Sequence, residues 1–180
     1  MVLPMPVVYR AMTGADHAGV SVLLAERLPG VQIEALRLYR GYVAVEDKHI
    51  VAVALLHDHP PLTARGGGRQ ALLHAFASGQ GGRGIGSNLL RYVHDRLALA
   101  GYCSILVKIV GVEGPVHDWY RRTGYDVDLV IGFDYGGDRP WWVIAAAGES
   151  HAAIVLDDSL RICQATLDVR ELAKASRQQS

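Results

Sequence analysis

The stretch Gly79-Gln-Gly-Gly-Arg-Gly-Ile-Gly86 runs directly into Ser87-Asn-Leu-Leu90, and Trp119-Tyr-Arg-Arg-Thr-Gly-Tyr125 stands further along the chain. From Gly84 onward the apolar residues Ile85, Leu89, Leu90, Val93 and Leu97 fall on one helical stripe that ends at Gly101. On the other side of the loop, Gln70 to Ser78 reads as a strand. A glycine loop between a strand and a helix exposes consecutive backbone N–H groups where the helix dipole is positive, which makes an anion site. Any Cβ there would hold the backbone away from a phosphate oxygen, Ser87 adds a hydroxyl donor, and Arg83 brings charge to the rim.

The loop alone is ambiguous, because Gly79-x-Gly81-x-x-Gly84 also satisfies the dinucleotide-binding pattern. That fold would normally open with this strand, and its next strand should end in an acid that holds a ribose. Here a β-hairpin precedes the loop, from Tyr42–Val45 and Ile50–Leu56, and the next strand, Cys103 to Val110, ends without an acid. No Gly-Lys-Ser/Thr follows the loop, which removes the nucleotide-triphosphatase reading.

Working outward, Val7 to Ala11 reads as a first strand. Thr13-Gly-Ala-Asp16 is a helix-start signal for a helix reaching Arg27, and Ile33 to Tyr39 suggests a second short helix. His59 to Gly68 is an exposed loop. The run Cys103 to Val110 suits a strand buried on both faces. A helix from Pro115 to Arg122 is stopped by Gly124, and strands Tyr125 to Phe133 and Trp141 to Ala147 follow. Residues 148–180 read as an appended hairpin and short helix, packed on the core by adding strands to a sheet edge or packed on a partner subunit.

The chain has 180 residues, half of them hydrophobic, and eighteen basic residues balance eighteen acidic ones. One core is expected, and charge gives no reason to expect nucleic acid or an anionic membrane as partner. No apolar run reaches the roughly 18 residues of a membrane span, so a cytoplasmic protein is expected. Cys103 and Cys163 form no Cys-x-x-Cys pair and read as small core residues. His57 and His59 alternate around Asp58 without a third ligand at suitable spacing, so no metal is expected.

Gly82-Arg-Gly-Ile-Gly86 followed by Ser-Asn-Leu-Leu, together with Tyr120-x-x-x-Gly124-Tyr125, resembles the GNAT superfamily of N-acetyltransferases. Motif resemblance covers Ser78 to Tyr125. It implies an α+β fold of residues 1–147 in three layers, a mixed, mainly antiparallel twisted sheet flanked by helices, and direct attack of an amine on the thioester of acetyl-CoA. The cofactor-binding set implied is Phe76, Ala77, Ser78, Gly81, Gly82, Arg83, Gly84, Ile85, Gly86 and Ser87. The CoA arm would pair with the strand His74 to Ser78, and a backbone N–H near Phe76 would polarise the carbonyl. Alternation along that strand puts His74, Phe76 and Ser78 on one face.

Tyr120 fills the family's general-acid position, the alternative being that it merely packs beside Trp119. The family commonly places a carboxylate on the strand before the loop, and none exists from Gln70 to Ser78. His74 replaces it as the named base, because imidazole titrates near neutrality, with a structural histidine as the alternative and His117 and Glu46 as weaker candidates. Two departures are plain: Gly81 stands at the family's Arg/Gln position, and Glu113 stands where an Asn often holds the CoA arm. Glu113 and the missing carboxylate motivate a second reading, a CoA-binding regulatory domain without catalysis. Partners expected are acetyl-CoA, an amine acceptor and, in one arrangement of the tail, a second copy of the chain.

Overall fold

The computed structural model describes residues 6–31, 33, 35–59, 69–79, 81–110, 114–127 and 149–156. In chain order these form β1 (Val8–Ala11), a 3₁₀ turn (Gly14–Asp16), α1 (His17–Arg27), a second 3₁₀ turn (Leu36–Leu38), β2 (Arg40–Glu46) and β3 (His49–His59). After these come β4 (Arg69–Ser78), α2 (Ile85–Leu99), β5 (Tyr102–Val110), α3 (Pro115–Arg122), β6 (Asp126–Val127) and β7 (Glu149–Val155). The strands make one sheet in the order β1-β2-β3-β4-β5-β7-β6, antiparallel except for the β4–β5 pair. This is the mixed, mainly antiparallel sheet flanked by helices that the sequence predicts.

Each face of the sheet carries its own core. On one, Ile85, Leu89, Leu90, Val93 and Leu97 of α2, the stripe read from the sequence, pack on Ala54, Leu56, Ala71, Leu73, Ile105 and Val107. Tyr120 of α3 and Tyr125 belong to this cluster. On the other, Val20, Leu23 and Leu24 of α1 pack on Val43, Val53, Leu55, Ala75 and Ala77. Full burial of each Leu or Val is worth about 1.5–3 kcal/mol, so the two stripes supply most of the force that clamps helices to sheet.

Local chemistry sets the element ends. Asp16 closes the predicted helix start by accepting the Thr13 N–H at 2.7 Å, and it also holds both terminal nitrogens of Arg10 at 2.7 Å. The β2–β3 hairpin turns at Asp47 and Lys48, both with positive φ (46° and 63°), the conformation of a two-residue turn that matches strand twist. α3 begins with Pro at its first position and stops before Gly124, whose φ is 94°.

Two expectations change. The predicted helix from Ile33 to Tyr39 is only the single turn Leu36–Leu38, because Ala35 and Tyr39 are extended (ψ 121° and 146°) and one turn cannot propagate between them. The register of β3 with β4 steps from Leu55↔Ala75 to Leu56↔Leu73, so His74 is the extra residue of a β-bulge. Beyond residue 148, Glu149–Val155 lies inside the sheet, antiparallel to β5 over Ser104–Val110 on one edge and to β6 on the other. Sequence alternation showed a strand here but not its neighbours, since pairing is decided by distant residues. The proposed strand Trp141 to Ala147, the loop Pro60 to Gly68, Glu113, Cys163 and the C-terminal helix lie outside the described residues.

Candidate functional site

The bulge governs which side chains share a face. Ala71 and Leu73 point to the α2 core, but past the bulge Ala75 and Ala77 point to the α1 core. His74 turns with Ala75, and its ring lies 5.2 Å from that of Tyr39 and 5.3 Å from that of His57. Phe76 lies on the opposite, α2 side against Trp119, with ring centroids 5.2 Å apart. The expectation that His74 shares a face with Phe76 and Ser78 is therefore corrected. An inserted residue inverts the two-residue alternation, and nothing in the local pattern announces the insertion.

The bulge also coincides with a parting of strands. β4 and β5 pair only as far as Leu73↔Val107. Beyond that point β4 continues to Ser78 on β3, while β5 continues to Val110 on β7. The edge of β4 from Ala75 to Ser78 that would face β5 thus has no strand beside it among the described residues. Which backbone groups line this edge follows from one bond: the Gly79 N–H donates to the Val51 carbonyl at 2.8 Å. Directly opposed residues of an antiparallel pair alternate between bonded and non-bonded, so Ala77 and Ala75 address β3, while Phe76 and Ser78 present N–H and C=O to the open edge. Ala77, named from the sequence as a cofactor contact, is turned both by backbone and by side chain away from that edge.

The open edge leads into the glycine loop. Its first carbonyl, that of Gly79, accepts a bond from Arg27 at the end of α1. Gly82 (φ 81°) and Gly84 (φ 71°) are left-handed, a conformation that costs a residue with a Cβ roughly 1–2 kcal/mol, and Gly84 is the residue that starts α2. Among the described residues, a Cβ on Gly81, Gly82 or Gly84 would meet no atom within 4 Å, so these glycines do not serve packing against them. The first N–H groups of α2, on Ile85, Gly86 and Ser87, have no partner within the helix and point along its dipole toward the loop.

Side chains around the loop are committed in ways the sequence hid. The Trp119 indole N–H donates to Ser87 Oγ at 3.1 Å, which orients the Ser87 hydroxyl so that its own proton is directed elsewhere. Ser78 Oγ is buried with no hydrogen-bond partner among the described residues. Arg83 forms a fork with Glu46, which holds the Glu46 carboxyl below the usual carboxylate range through the hydrogen bonds of the guanidinium. Sequence reasoning missed Trp119 as the partner of Ser87, and it named Glu46 only as a weak base.

Tyr120 is buried in the α2-side core, edge-on to Trp119 at 4.8 Å and to Tyr125 at 5.1 Å. Among the described residues its hydroxyl has no hydrogen-bond partner, and desolvation raises its pKa well above that of an ordinary phenol. Tyr125 by contrast hydrogen-bonds His94 at 2.9 Å. His117, a weaker base candidate, is buried. Among the described residues no group of three or more His, Cys, Asp or Glu is placed to hold a metal ion, and no helix is long and apolar enough to cross a membrane.

No family model matches the chain, and no curated protein matches it by sequence. Solved structures do match it. The ribosomal-protein-S18-alanine N-acetyltransferase of Escherichia coli superposes with a TM-score of 0.61 at 13% identity, over 84% of this chain and 95% of the other. An IAA acetyltransferase from Bacillus cereus gives 0.61 at 20% identity, over 83% and 99%. A Bacillus subtilis acetyltransferase in complex with CoA gives 0.61 at 13% identity, over 83% and 99%. These similarities show that the chain has the fold of GNAT-family acetyltransferases.

Proposed function

We propose that the protein is an N-acetyltransferase of the GNAT superfamily that moves the acetyl group of acetyl-CoA to a primary amine of a small molecule, amino acid or peptide. The observation that carries this reading is the open edge of β4 leading into a glycine loop at a helix start. An extended arm with amide groups completes such an edge as an added strand, and a pyrophosphate suits the N–H groups of Gly81 to Ser87. The space that the described residues leave over the glycines, and the buried Ser78 hydroxyl with no partner among them, fit the same ligand. The solved relative in complex with CoA supports it.

In this reading the amine nitrogen attacks the thioester carbon, and the Phe76 N–H at the open edge stabilises the oxyanion. Collapse of the tetrahedral intermediate breaks the C–S bond, and the thiolate takes a proton from the Tyr120 hydroxyl. Burial keeps that phenol protonated throughout the physiological range, and with no protein acceptor among the described residues it is left to donate to the sulfur. His74, exposed at the point where β4 and β5 part, receives the proton lost by the amine and passes it to water.

The test is calorimetric binding of acetyl-CoA followed by thiol release with a panel of amines. Binding with turnover is expected. Binding without turnover on any amine would leave a CoA-binding module, and thermal stabilisation by NAD but not by CoA would overturn the proposal.

A further inference from the structure

Arg83 is the cation within the glycine loop, yet its guanidinium closes on a carboxylate. Nη1 donates to Glu46 Oε2 at 2.7 Å and Nη2 to Oε1 at 2.6 Å. The partners are thirty-seven residues apart. Sheet order brings them together: Glu46 ends β2 opposite His49, and Ala52, three residues further along β3, pairs with Ser78 just before the loop. The side chain of Glu46 is 16% exposed and that of Arg83 41% exposed, so the pair lies at the surface, with the carboxylate the more enclosed.

A carboxylate at the rim of an anion cradle works against the cradle. It occupies an arginine fork that matches carboxylate and phosphate geometry alike, and it repels an arriving phosphate. The loop does not need it for its shape, which the positive φ angles of Gly82 and Gly84 already define. We propose that Glu46 is an intramolecular stand-in for phosphate that competes with CoA for Arg83, lowering CoA affinity and hastening release of product CoA. When a phosphate group reaches the loop, the Arg83 fork turns to it and Glu46 is left at the end of its strand beside solvent. When CoA leaves, Glu46 recaptures the fork. This inference rests on the reading of the loop as a CoA site.

Calorimetric titration of CoA into the full-length wild type, E46Q, R83Q and the E46Q/R83Q double variant tests it. E46Q is expected to bind CoA about two- to fivefold more tightly, a gain on the scale of surface ion pairs, and to show the steeper salt dependence of an unmasked charge. The gain is expected to vanish in the double variant. E46D, which keeps the charge but shortens the reach, is expected to give a smaller gain and serves if E46Q does not fold. Unchanged or weaker binding by E46Q, or a gain that persists without Arg83, overturns the inference while leaving the CoA reading intact. Failure of the wild type to bind CoA removes both.

Discussion

Tyr120→Phe separates chemistry from packing because the structure predicts opposite signs for the two. The ring is nearly fully buried against Trp119 and Tyr125, and phenylalanine preserves those contacts. The hydroxyl is desolvated and makes no hydrogen bond to a described residue, so removing it takes no such bond from the fold. Unfolding free energy in urea should therefore stay within about 1 kcal/mol of wild type or rise. Loss of the proton donor should lower kcat by at least about 10²-fold, or roughly 2.7 kcal/mol of transition-state stabilisation, with little change in KM for acetyl-CoA. The assay pairs urea denaturation with steady-state thiol release on the best amine found. An unchanged kcat would refute the acid role. A stability loss of several kcal/mol accompanied by proportional inactivation would show that the hydroxyl supports the core instead.

His94 carries a pH prediction: burial lowers its pKa to about 4, opposed by the Asp95 charge, while the unfolded residue titrates near 6.5. The unfolded chain binds the extra proton between those values, so stability is fully present above about pH 6.5 and falls toward pH 4 by on the order of 3 kcal/mol. Urea midpoints from pH 7 to pH 4 check this, and His94→Gln should flatten the slope. Gly84→Ala should cost roughly 1–2 kcal/mol in thermal unfolding because of its positive φ, and should weaken CoA binding by calorimetry more than it weakens the fold. If Gly84→Ala binds CoA as wild type does, the loop is not the phosphate site.

Much of the fold was legible because its signals are local. The α2 stripe, the Thr13–Asp16 start, the Asp47-Lys48 hairpin and the Pro115–Gly124 limits of α3 depend on spacing within a few turns of chain. The glycine loop was legible for the same reason, since helix-start N–H groups and left-handed glycines are properties of a short segment. What failed was non-local. The His74 bulge reversed the face assigned to that histidine, and the neighbours of Glu149–Val155 in the sheet could not be read from its own alternation.

The sequence by itself determined that a helix begins on a glycine loop and that Tyr120 and Gly124 close a short helix behind it. Only the tertiary structure decided that β4 and β5 part at Leu73, that Phe76 and Ser78 turn their backbone groups to the opening, and that Glu46 reaches Arg83. Backbone propensity and periodicity act over a few residues. An open strand edge or an ion pair across a sheet exists only once distant segments have fixed their register.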